Sequence, residues 1–291
     1  MDRKTCLITG TASGMGRIAA RTLAELGAEL ILVDFDVANG QAARDEIIAS
    51  TGNDKLEFID CDVTSFDHVQ RMTAHVNAKY PRLDVLINNA GITESVRRES
   101  VAGFEMTMAT NFLAPFMITR LLLDKLMSSA PARILNISSD AHKMVETLDF
   151  DDIENRDGWH KVNHNKGFQA YARSKLSLAC YSYELARRLQ GTGVDVYCVS
   201  PGYFIRTNVH RHMRGLWKLG VRVAWPFLQD PERAARTYTF LASSPQVAGL
   251  SGRYWEHLKE KASSPASHDA ELQRRIWTYA EQATGLSYPG D

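Results

Sequence analysis

Short apolar runs alternate with helix-length amphipathic stretches along most of this 291-residue chain. The runs are rich in Val, Ile and Leu on both faces, as a sheet covered on both sides requires. Strands and helices alternating at this spacing predict βαβ units, a mostly parallel sheet and an α/β fold. Strands are expected at 5–9, 29–34, 56–60, 83–88, 132–138 and 194–200, and helices at 14–26, 37–50, 65–78, 101–127, 168–190, 230–242 and 267–283. No linker interrupts the pattern, so a single doubly wound domain is expected over 1–291.

Composition excludes several classes of protein. Lys+Arg and Asp+Glu are both 34, whereas a general nucleic-acid binder shows a basic excess. The cysteines form no CxxC pair, which argues against a disulfide framework or a structural zinc site and fits a reducing compartment. No stretch reaches the roughly 20 apolar residues that span a bilayer, and the first apolar run is too short for a signal peptide. We therefore expect a cytoplasmic protein.

A glycine-rich loop joins the first predicted strand to the first predicted helix, with the sequence TGTASGMG. Gly10 permits a tight turn, while Gly14 and Gly16 let the backbone approach a pyrophosphate and pack against the strand. Ser13 and Met15 lie in the same loop, at the helix N-terminus that offers free N–H groups to phosphates. A strand before the loop and a helix after it predict a dinucleotide-binding Rossmann fold.

Asp34 ends the second predicted strand, at the place where such folds bind the adenosine ribose. A carboxylate there accepts hydrogen bonds from ribose hydroxyls and repels a 2′-phosphate. No basic residue precedes Gly14, and Phe35 rather than Arg follows Asp34. The sequence therefore favours NAD over NADP. The alternative is that the glycine-rich loop is an ordinary turn at the start of a helix and binds no ligand.

Six motifs in order resemble the short-chain dehydrogenase/reductase family, and together they cover the chain to about residue 255. Each is common by chance, but the ordered set is highly specific. The motifs are TGxxxGxG at 9–16, NNAG at 88–91, Asn111, the strand end at 137–139, YxxxK at 171–175, and Pro201 with Gly202. Within the family, the chain is most similar to the retinol-dehydrogenase-like branch. It differs from that branch in lacking a hydrophobic N-terminal anchor and in having Asp34.

The resemblance implies a catalytic set of Asn111, Ser139, Tyr171 and Lys175. Tyr171 and Lys175 stand at i and i+4 on one helix face. A cation about 4 Å from the phenol would lower the Tyr171 pKa by up to about three units, into the range useful for acid–base catalysis. Ser139 would orient the substrate oxygen, and Asn111 would hold a water for proton relay. Ser138 is the alternative candidate for the catalytic serine, and we interpret it as a structural residue.

The resemblance also implies further cofactor contacts. Asp62 and Val63 would flank the adenine, although a plain helix-start region is an equal alternative. Asn89 and Gly91 would line a ribose, whereas Asn88 would tie strands together. The expected cofactor-binding set is Gly10, Ser13, Gly14, Met15, Gly16, Asp34, Asp62, Val63, Asn89, Gly91, Tyr171, Lys175, Pro201 and Gly202.

Two segments are expected to shape the substrate side. An insert at 140–167 carries His142, His160 and His164, whose scattered, polar setting argues against a metal site; His142 is the one expected near substrate. A lid at 203–228 contains Trp217 and Trp225 and favours a bulky apolar or aromatic substrate. The alternatives for the lid are a core or subunit contact and a membrane surface.

The sequence thus predicts an NAD-dependent oxidoreductase that interconverts an alcohol and a ketone or aldehyde. The alternative is a non-catalytic NAD(H)-sensing protein, which would need only the glycine loop and Asp34. A peripheral membrane enzyme for lipophilic alcohols is a third possibility. A homodimer or homotetramer is expected, because the long helices pair subunits in many members of the family.

Overall fold

The structure, a computed structural model, describes residues 1–156, 159, 161–202 and 230–288. The strands within these residues form one sheet, in the order β3-β2-β1-β4-β5-β6-β7-β8. Neighbours pair in parallel up to β7, and β8 is antiparallel to β7. The strands are β1 (Thr5–Thr9), β2 (Glu29–Asp34), β3 (Leu56–Asp60), β4 (Val85–Asn88), β5 (Ala132–Ile137), β6 (Val194–Ser200), β7 (Arg253–Glu256) and β8 (Lys259–Lys261).

Helices cover both faces of the sheet, which confirms the predicted doubly wound α/β domain. Two clusters of buried side chains separate the sheet from its covering layers: α1, α2 and α7 lie on one face, and α3, α5, α6 and α8 on the other. The helices are α1 (Gly14–Glu25), α2 (Val37–Thr51), α3 (Phe66–Lys79), α4 (Met106–Met108), α5 (Ala114–Ser128), α6 (His164–Arg188), α7 (Pro231–Ser243) and α8 (Ala270–Thr284).

A long helical stretch from Met106 to Ser128 runs through the core. Among the described residues it is the stretch long and apolar enough to cross a membrane, but 83% of its most apolar window is buried inside the protein. The side chains of β4, β5 and α6 supply the apolar surroundings that its composition requires. We therefore interpret it as a core helix that carries Asn111.

Some predicted boundaries were wrong. Helix α6 begins at His164, where the Asn163 side chain accepts a hydrogen bond from the Lys166 N–H. The last four residues of the expected 140–167 insert are thus helical, and its first five form a 3₁₀ turn. The short strands β7 and β8 were not predicted. By contrast, α7 begins as predicted, with Asp230 as N-cap and Pro231 in its first turn.

Candidate active site

The glycine loop is held closed by Asn89. The Asn89 Nδ2 donates to the carbonyl oxygens of Thr9 at 2.8 Å and Gly10 at 3.1 Å. Gly10 has a φ of +74°, a region that favours glycine. A Cβ at Gly16 would collide with the Gly10 carbonyl and come within 2.5 Å of the Asn89 amide nitrogen. Asn89 was predicted to line a ribose, and the structure adds that its side chain fixes the loop.

Asp34 lies beside this loop at the carboxyl end of β2. Its Oδ2 accepts a hydrogen bond from the Ala12 N–H at 2.9 Å, and its Oδ1 accepts one from the Asp36 N–H at 3.1 Å. Ala12 belongs to the loop, so the carboxylate and the loop face the same space. The position is the one that the sequence predicted for a ribose-binding acid.

A cavity of about 330 Å³ opens at the carboxyl ends of the parallel strands, where ligands bind in sheets of this kind. Nine residues of the expected cofactor-binding set line it: Gly10, Ser13, Gly14, Met15, Asp34, Asp62, Val63, Asn89 and Gly91. The remaining members of that set, Gly16, Tyr171, Lys175, Pro201 and Gly202, are not among its lining residues.

Asp62, just after β3, lies both in the turn that starts α3 and at the cavity, so its position fits both of the predicted alternatives. Its Oδ1 accepts hydrogen bonds from the N–H of Thr64 at 2.9 Å and from the Thr64 hydroxyl at 2.8 Å. These bonds shape the turn before Ser65, which caps α3. Asp62 and Val63 nevertheless line the cavity, so the turn that starts α3 also forms a wall of the site.

Asn111 lies in a π-helical turn, Ala109–Leu113, between α4 and α5. Such turns are frequent at functional sites. The side chain is fully buried. Its Oδ1 accepts from the Ile92 N–H at 2.9 Å, and its Nδ2 donates to the Ile92 carbonyl and the Ser174 hydroxyl, both at 3.0 Å. Asn111 therefore joins the strand end after β4 to helix α6.

Tyr171 and Lys175 lie one turn apart on α6, as predicted, with the Lys175 Nζ 5.6 Å from the centroid of the Tyr171 ring. The Lys175 Nζ donates to the Ile137 carbonyl at 2.7 Å. Burial lowers the pKa of Lys175 to about 8, because it penalises the ammonium form. The amine is thus held near the end of β5 in an environment that eases loss of its proton.

The expected lowering of the Tyr171 pKa was wrong for this structure. Burial raises the pKa of Tyr171, and a hydrogen bond to the Ser139 side chain acts in the opposite direction. The sequence argument counted only the nearby cation and left out the cost of burying a phenolate. Tyr171 is therefore in its neutral, proton-donating form at neutral pH.

Two adjacent serines follow β5 in different environments. The Ser138 hydroxyl is buried and donates to the Lys175 carbonyl at 3.0 Å, which gives it the structural role predicted for it. Ser139 is more accessible, and its Oγ accepts from the Ala141 N–H at 3.2 Å. The Tyr171 contact makes Ser139, rather than Ser138, the serine beside the phenol.

His142 is not a substrate-facing residue. It is fully buried, its Nδ1 lies 2.7 Å from the Ser139 carbonyl, and its Nε2 accepts from the Ser264 N–H at 3.0 Å. Both ring nitrogens are therefore engaged within the fold. Burial also lowers the pKa of His142, so it is a neutral structural residue at neutral pH.

Gly91 connects the cavity to the predicted catalytic group. It lines the cavity, and a Cβ at this position would lie 3.3 Å from the Asn111 Oδ1 and 3.5 Å from the Lys175 Nζ. The absence of a side chain therefore keeps the approach from the cavity to these polar atoms open. Asn111, Ser139, Tyr171 and Lys175 come together at this end.

Pro201 and Gly202 follow β6 at the same sheet edge. The Gly202 N–H donates to the Ser200 hydroxyl at 3.1 Å, and Gly202 has a φ of +99°. The expected lid at 203–228, with Trp217 and Trp225, lies outside the described residues, as does His160.

Several site residues were not predicted. Ser174 supports Asn111, and its place inside YxxxK was the available signal. Arg98 and Thr110 line the cavity with Glu94 and Met106, and no motif marks any of the four. Lys175 binds the backbone carbonyl of Ile137. Because every residue has such a carbonyl, no sequence motif could have predicted this contact.

Comparison with known proteins shows which family the chain resembles. A family model described as short chain dehydrogenase matches residues 4–148. Human retinol dehydrogenase 13 is 37% identical over 98% of this chain and 86% of its own length. Human retinol dehydrogenase 14 is also 37% identical, over 98% of this chain and 88% of its own.

Solved structures show the same fold. A dehydrogenase/reductase from Sinorhizobium meliloti 1021 superposes with a TM-score of 0.68 at 27% identity, covering 92% of this chain and 96% of the other. The resemblance seen in the motifs is thus confirmed over nearly the whole chain. The chain belongs to the short-chain dehydrogenase family of oxidoreductases, among relatives that include retinol dehydrogenases.

Proposed function

We propose that this protein is an NAD-dependent oxidoreductase that interconverts an alcohol and a ketone or aldehyde. The observation that carries the proposal is the convergence of Ser139, Tyr171, Lys175 and Asn111 beside Gly91, at one end of the cavity. A protein that only senses the nucleotide needs the cavity but has no use for a tyrosine placed beside a serine at the end of that cavity.

The cavity suits a dinucleotide. Gly10 and Gly14 leave the loop backbone accessible at these two positions, and the Asp34 carboxylate lies where a ribose hydroxyl would donate to it. Asn89 and Gly91 would hold the middle of the cofactor. NAD, when bound, supplies or accepts the hydride. Asp34 supports NAD over NADP, because a carboxylate repels a 2′-phosphate.

The protein's own residues would move the proton. The neutral Tyr171 hydroxyl would donate its proton to the carbonyl oxygen of the substrate and become a phenolate. In the reverse direction, that phenolate would accept the proton of the alcohol hydroxyl. The Ser139 hydroxyl would hold that oxygen in place. The Lys175 amine, buried with a lowered pKa, and Asn111 would return the proton to solvent.

For the substrate we propose a bulky apolar or aromatic alcohol or its carbonyl partner. Two relatives of this chain are named retinol dehydrogenases, and retinol is a bulky apolar alcohol. The aromatic residues at 203–228 support the same class.

The decisive test is NADH formation with NAD⁺ across aliphatic, aromatic, steroid and retinoid alcohols. We expect turnover on one class, reduced by several orders of magnitude in Tyr171→Phe, with NADH affinity unchanged. Tyr183→Phe is the matched control, because Tyr183 is a tyrosine of the same helix that binds Ser263 instead. Near-normal turnover in Tyr171→Phe would refute the mechanism. NADH binding without turnover on any alcohol would favour the sensing alternative.

The cofactor choice has a separate test. In Asp34→Ala the ratio of kcat/KM with NAD to that with NADP is expected to fall, because a negative charge near the 2′-position is lost. Asp60→Ala is the control, since Asp60 is an exposed carboxylate at the end of the neighbouring strand. An unchanged ratio in Asp34→Ala would remove Asp34 from its proposed role.

We also propose a cytoplasmic location and a homodimer or homotetramer. The four cysteines are buried and free, which supports a reducing compartment. Helix α8 covers the α5 and α6 surfaces at Phe116 and Tyr181, so we propose that subunits associate through other faces. Cell fractionation tests the location, and light scattering of the purified protein tests the assembly.

A further inference from the structure

Arg98 is the cationic residue among the described residues that line the cavity. The same lining holds three carboxylates, those of Asp34, Asp62 and Glu94. A dinucleotide has an anionic pyrophosphate and an aromatic purine. An arginine can meet both, since its guanidinium is always charged and stacks on aromatic faces.

The fold places Arg98 on the adenosine side of the cavity. The Met106 N–H donates to the Arg98 carbonyl at 2.9 Å, which fixes Arg98 beside the start of α4. In the same loop, the Phe104 ring stacks on Phe66 at 5.7 Å. Phe66 begins α3 directly after the turn that contains Val63, a residue expected to flank the adenine.

Glu94 anchors the guanidinium at the cavity wall. The Arg98 Nη2 donates to the Glu94 Oε1. The Glu94 side chain is 4% exposed, whereas that of Arg98 is 51% exposed. The buried carboxylate thus limits the conformations of the arginine while much of the arginine side chain stays accessible. A side chain restrained in this way loses less entropy when a ligand binds.

We propose that Arg98 is a further cofactor-binding residue that contacts the adenosine diphosphate half of the dinucleotide, with Glu94 as its positioning residue. This inference rests on the proposed function, because it needs a dinucleotide in the cavity. It names a contact that neither the glycine loop nor Asp34 provides.

Calorimetric titration of the purified protein with NADH, ADP-ribose and nicotinamide mononucleotide tests the proposal. In Arg98→Gln we expect the Kd for NADH and for ADP-ribose to rise about tenfold, equal to about 1.4 kcal/mol. The Kd for the mononucleotide should not change. Arg274→Gln is the matched control, because it removes the same charge from an exposed pair on α8.

A double variant separates direct contact from a side effect. Arg98→Gln leaves the buried Glu94 carboxylate without its partner, and that charge alone would repel an anionic ligand. In Glu94→Gln/Arg98→Gln both charges are gone, so the weakened ADP-ribose binding should persist. Recovery to the wild-type Kd would overturn the proposal, as would a change in Arg98→Gln no larger than in Arg274→Gln. If the wild-type protein binds neither NADH nor ADP-ribose, the proposed function itself fails.

Discussion

Asn111 binds the backbone of Ile92 through both polar atoms of its side chain. The Oδ1 accepts from the Ile92 N–H and the Nδ2 donates to the Ile92 carbonyl. Ile92 directly follows Gly91 in the cavity wall. The π-helical turn in the core helix therefore holds in place the strand end through which the cavity approaches Lys175.

Asn111→Ala is expected to affect both stability and activity. It leaves the half-buried Ile92 backbone groups without these partners, at about 1–3 kcal/mol for each unsatisfied group. We expect the free energy of unfolding in urea to fall by about 2–4 kcal/mol and turnover to fall further than cofactor affinity. Asn77→Ala is the control, because the Asn77 side chain is exposed and binds a single carbonyl. Equal stability of the two variants would contradict the role of the Ile92 contacts.

Gly16→Ala is expected to weaken cofactor binding by moving the glycine loop. The new Cβ would collide with the Gly10 carbonyl and the Asn89 amide, so the loop must move away from the position that it has in this structure. We expect the Kd for NADH to rise more than tenfold, a cost above about 1.4 kcal/mol.

Gly52→Ala is the comparison for that variant. Gly52 ends α2 with a φ of +71° and has open space around it. Alanine in this left-handed conformation costs roughly 1–2 kcal/mol, but the site is untouched. If Gly52→Ala weakened NADH binding as much as Gly16→Ala, general destabilisation would explain both effects.

Glu105 makes the stability of the core helix depend on pH. Its fully buried carboxylate accepts hydrogen bonds from the N–H groups of Thr107 and Met108, both at 2.8 Å. Arg97 is the nearby cation, and the Glu154 carboxylate binds the Glu105 N–H. Burial outweighs these hydrogen bonds and raises the pKa of Glu105 from 4.5 to about 6.

The sign of the pH effect follows from this shift. Between pH 4.5 and 6, Glu105 is protonated to a greater extent in the folded protein than in the unfolded chain. The contribution of Glu105 to the free energy of unfolding is therefore fully present below this pH range and is lost as the pH rises through it. The loss is about 2 kcal/mol for a shift of this size. The difference in the free energy of unfolding between Glu105→Gln and wild type should change by that amount between pH 4 and pH 7, as measured by urea unfolding.

Glu99→Gln is the control for this pH series. The Arg97 guanidinium lowers the pKa of the exposed Glu99, so its small contribution is lost as pH falls, in the opposite direction. A difference curve for Glu105→Gln that stays flat from pH 4 to pH 7 would show that the carboxylate is not held in its buried position.

The sequence predicted the features that depend on local pattern. Strand–helix alternation predicted the six parallel strands β1 to β6. Gly10 and Asp34 lie at the carboxyl ends of β1 and β2, where their motifs indicated. A parallel sheet brings the ends of all its strands to one edge, so residues far apart in sequence meet there without further information.

Features that depend on the path of a loop were not predictable. Arg98 reaches the cavity because the chain after β4 turns back against α3 through Phe104, and no periodicity records that turn. The raised Tyr171 pKa has a similar cause: spacing gives the distance to Lys175, whereas the burial of the phenol depends on every element around it. The start of α6 was missed because Asn163, its cap, is one of many polar residues in the insert.

Trp277 packs helix α8 against the hydrophobic core. It is 2% exposed and contacts the rings of Phe116 and Tyr181, each at 5.7 Å, and of Tyr288 at 4.5 Å. The Arg188 guanidinium lies 3.9 Å from its ring centroid. Helix α8 thereby covers apolar surface of the two helices that carry or adjoin the predicted catalytic residues.

Trp277→Ala is therefore expected to lower the free energy of unfolding by about 3–5 kcal/mol, the usual cost of removing a large buried aromatic side chain. Loosening of α8 should also expose Phe116 and Tyr181, so that self-association measured by light scattering increases with protein concentration. Trp277→Phe keeps most of the ring contacts and should lose less stability and stay as dispersed as wild type. If Trp277→Ala unfolded at the wild-type urea concentration, the Trp277 contacts would not be what holds α8 on α5 and α6.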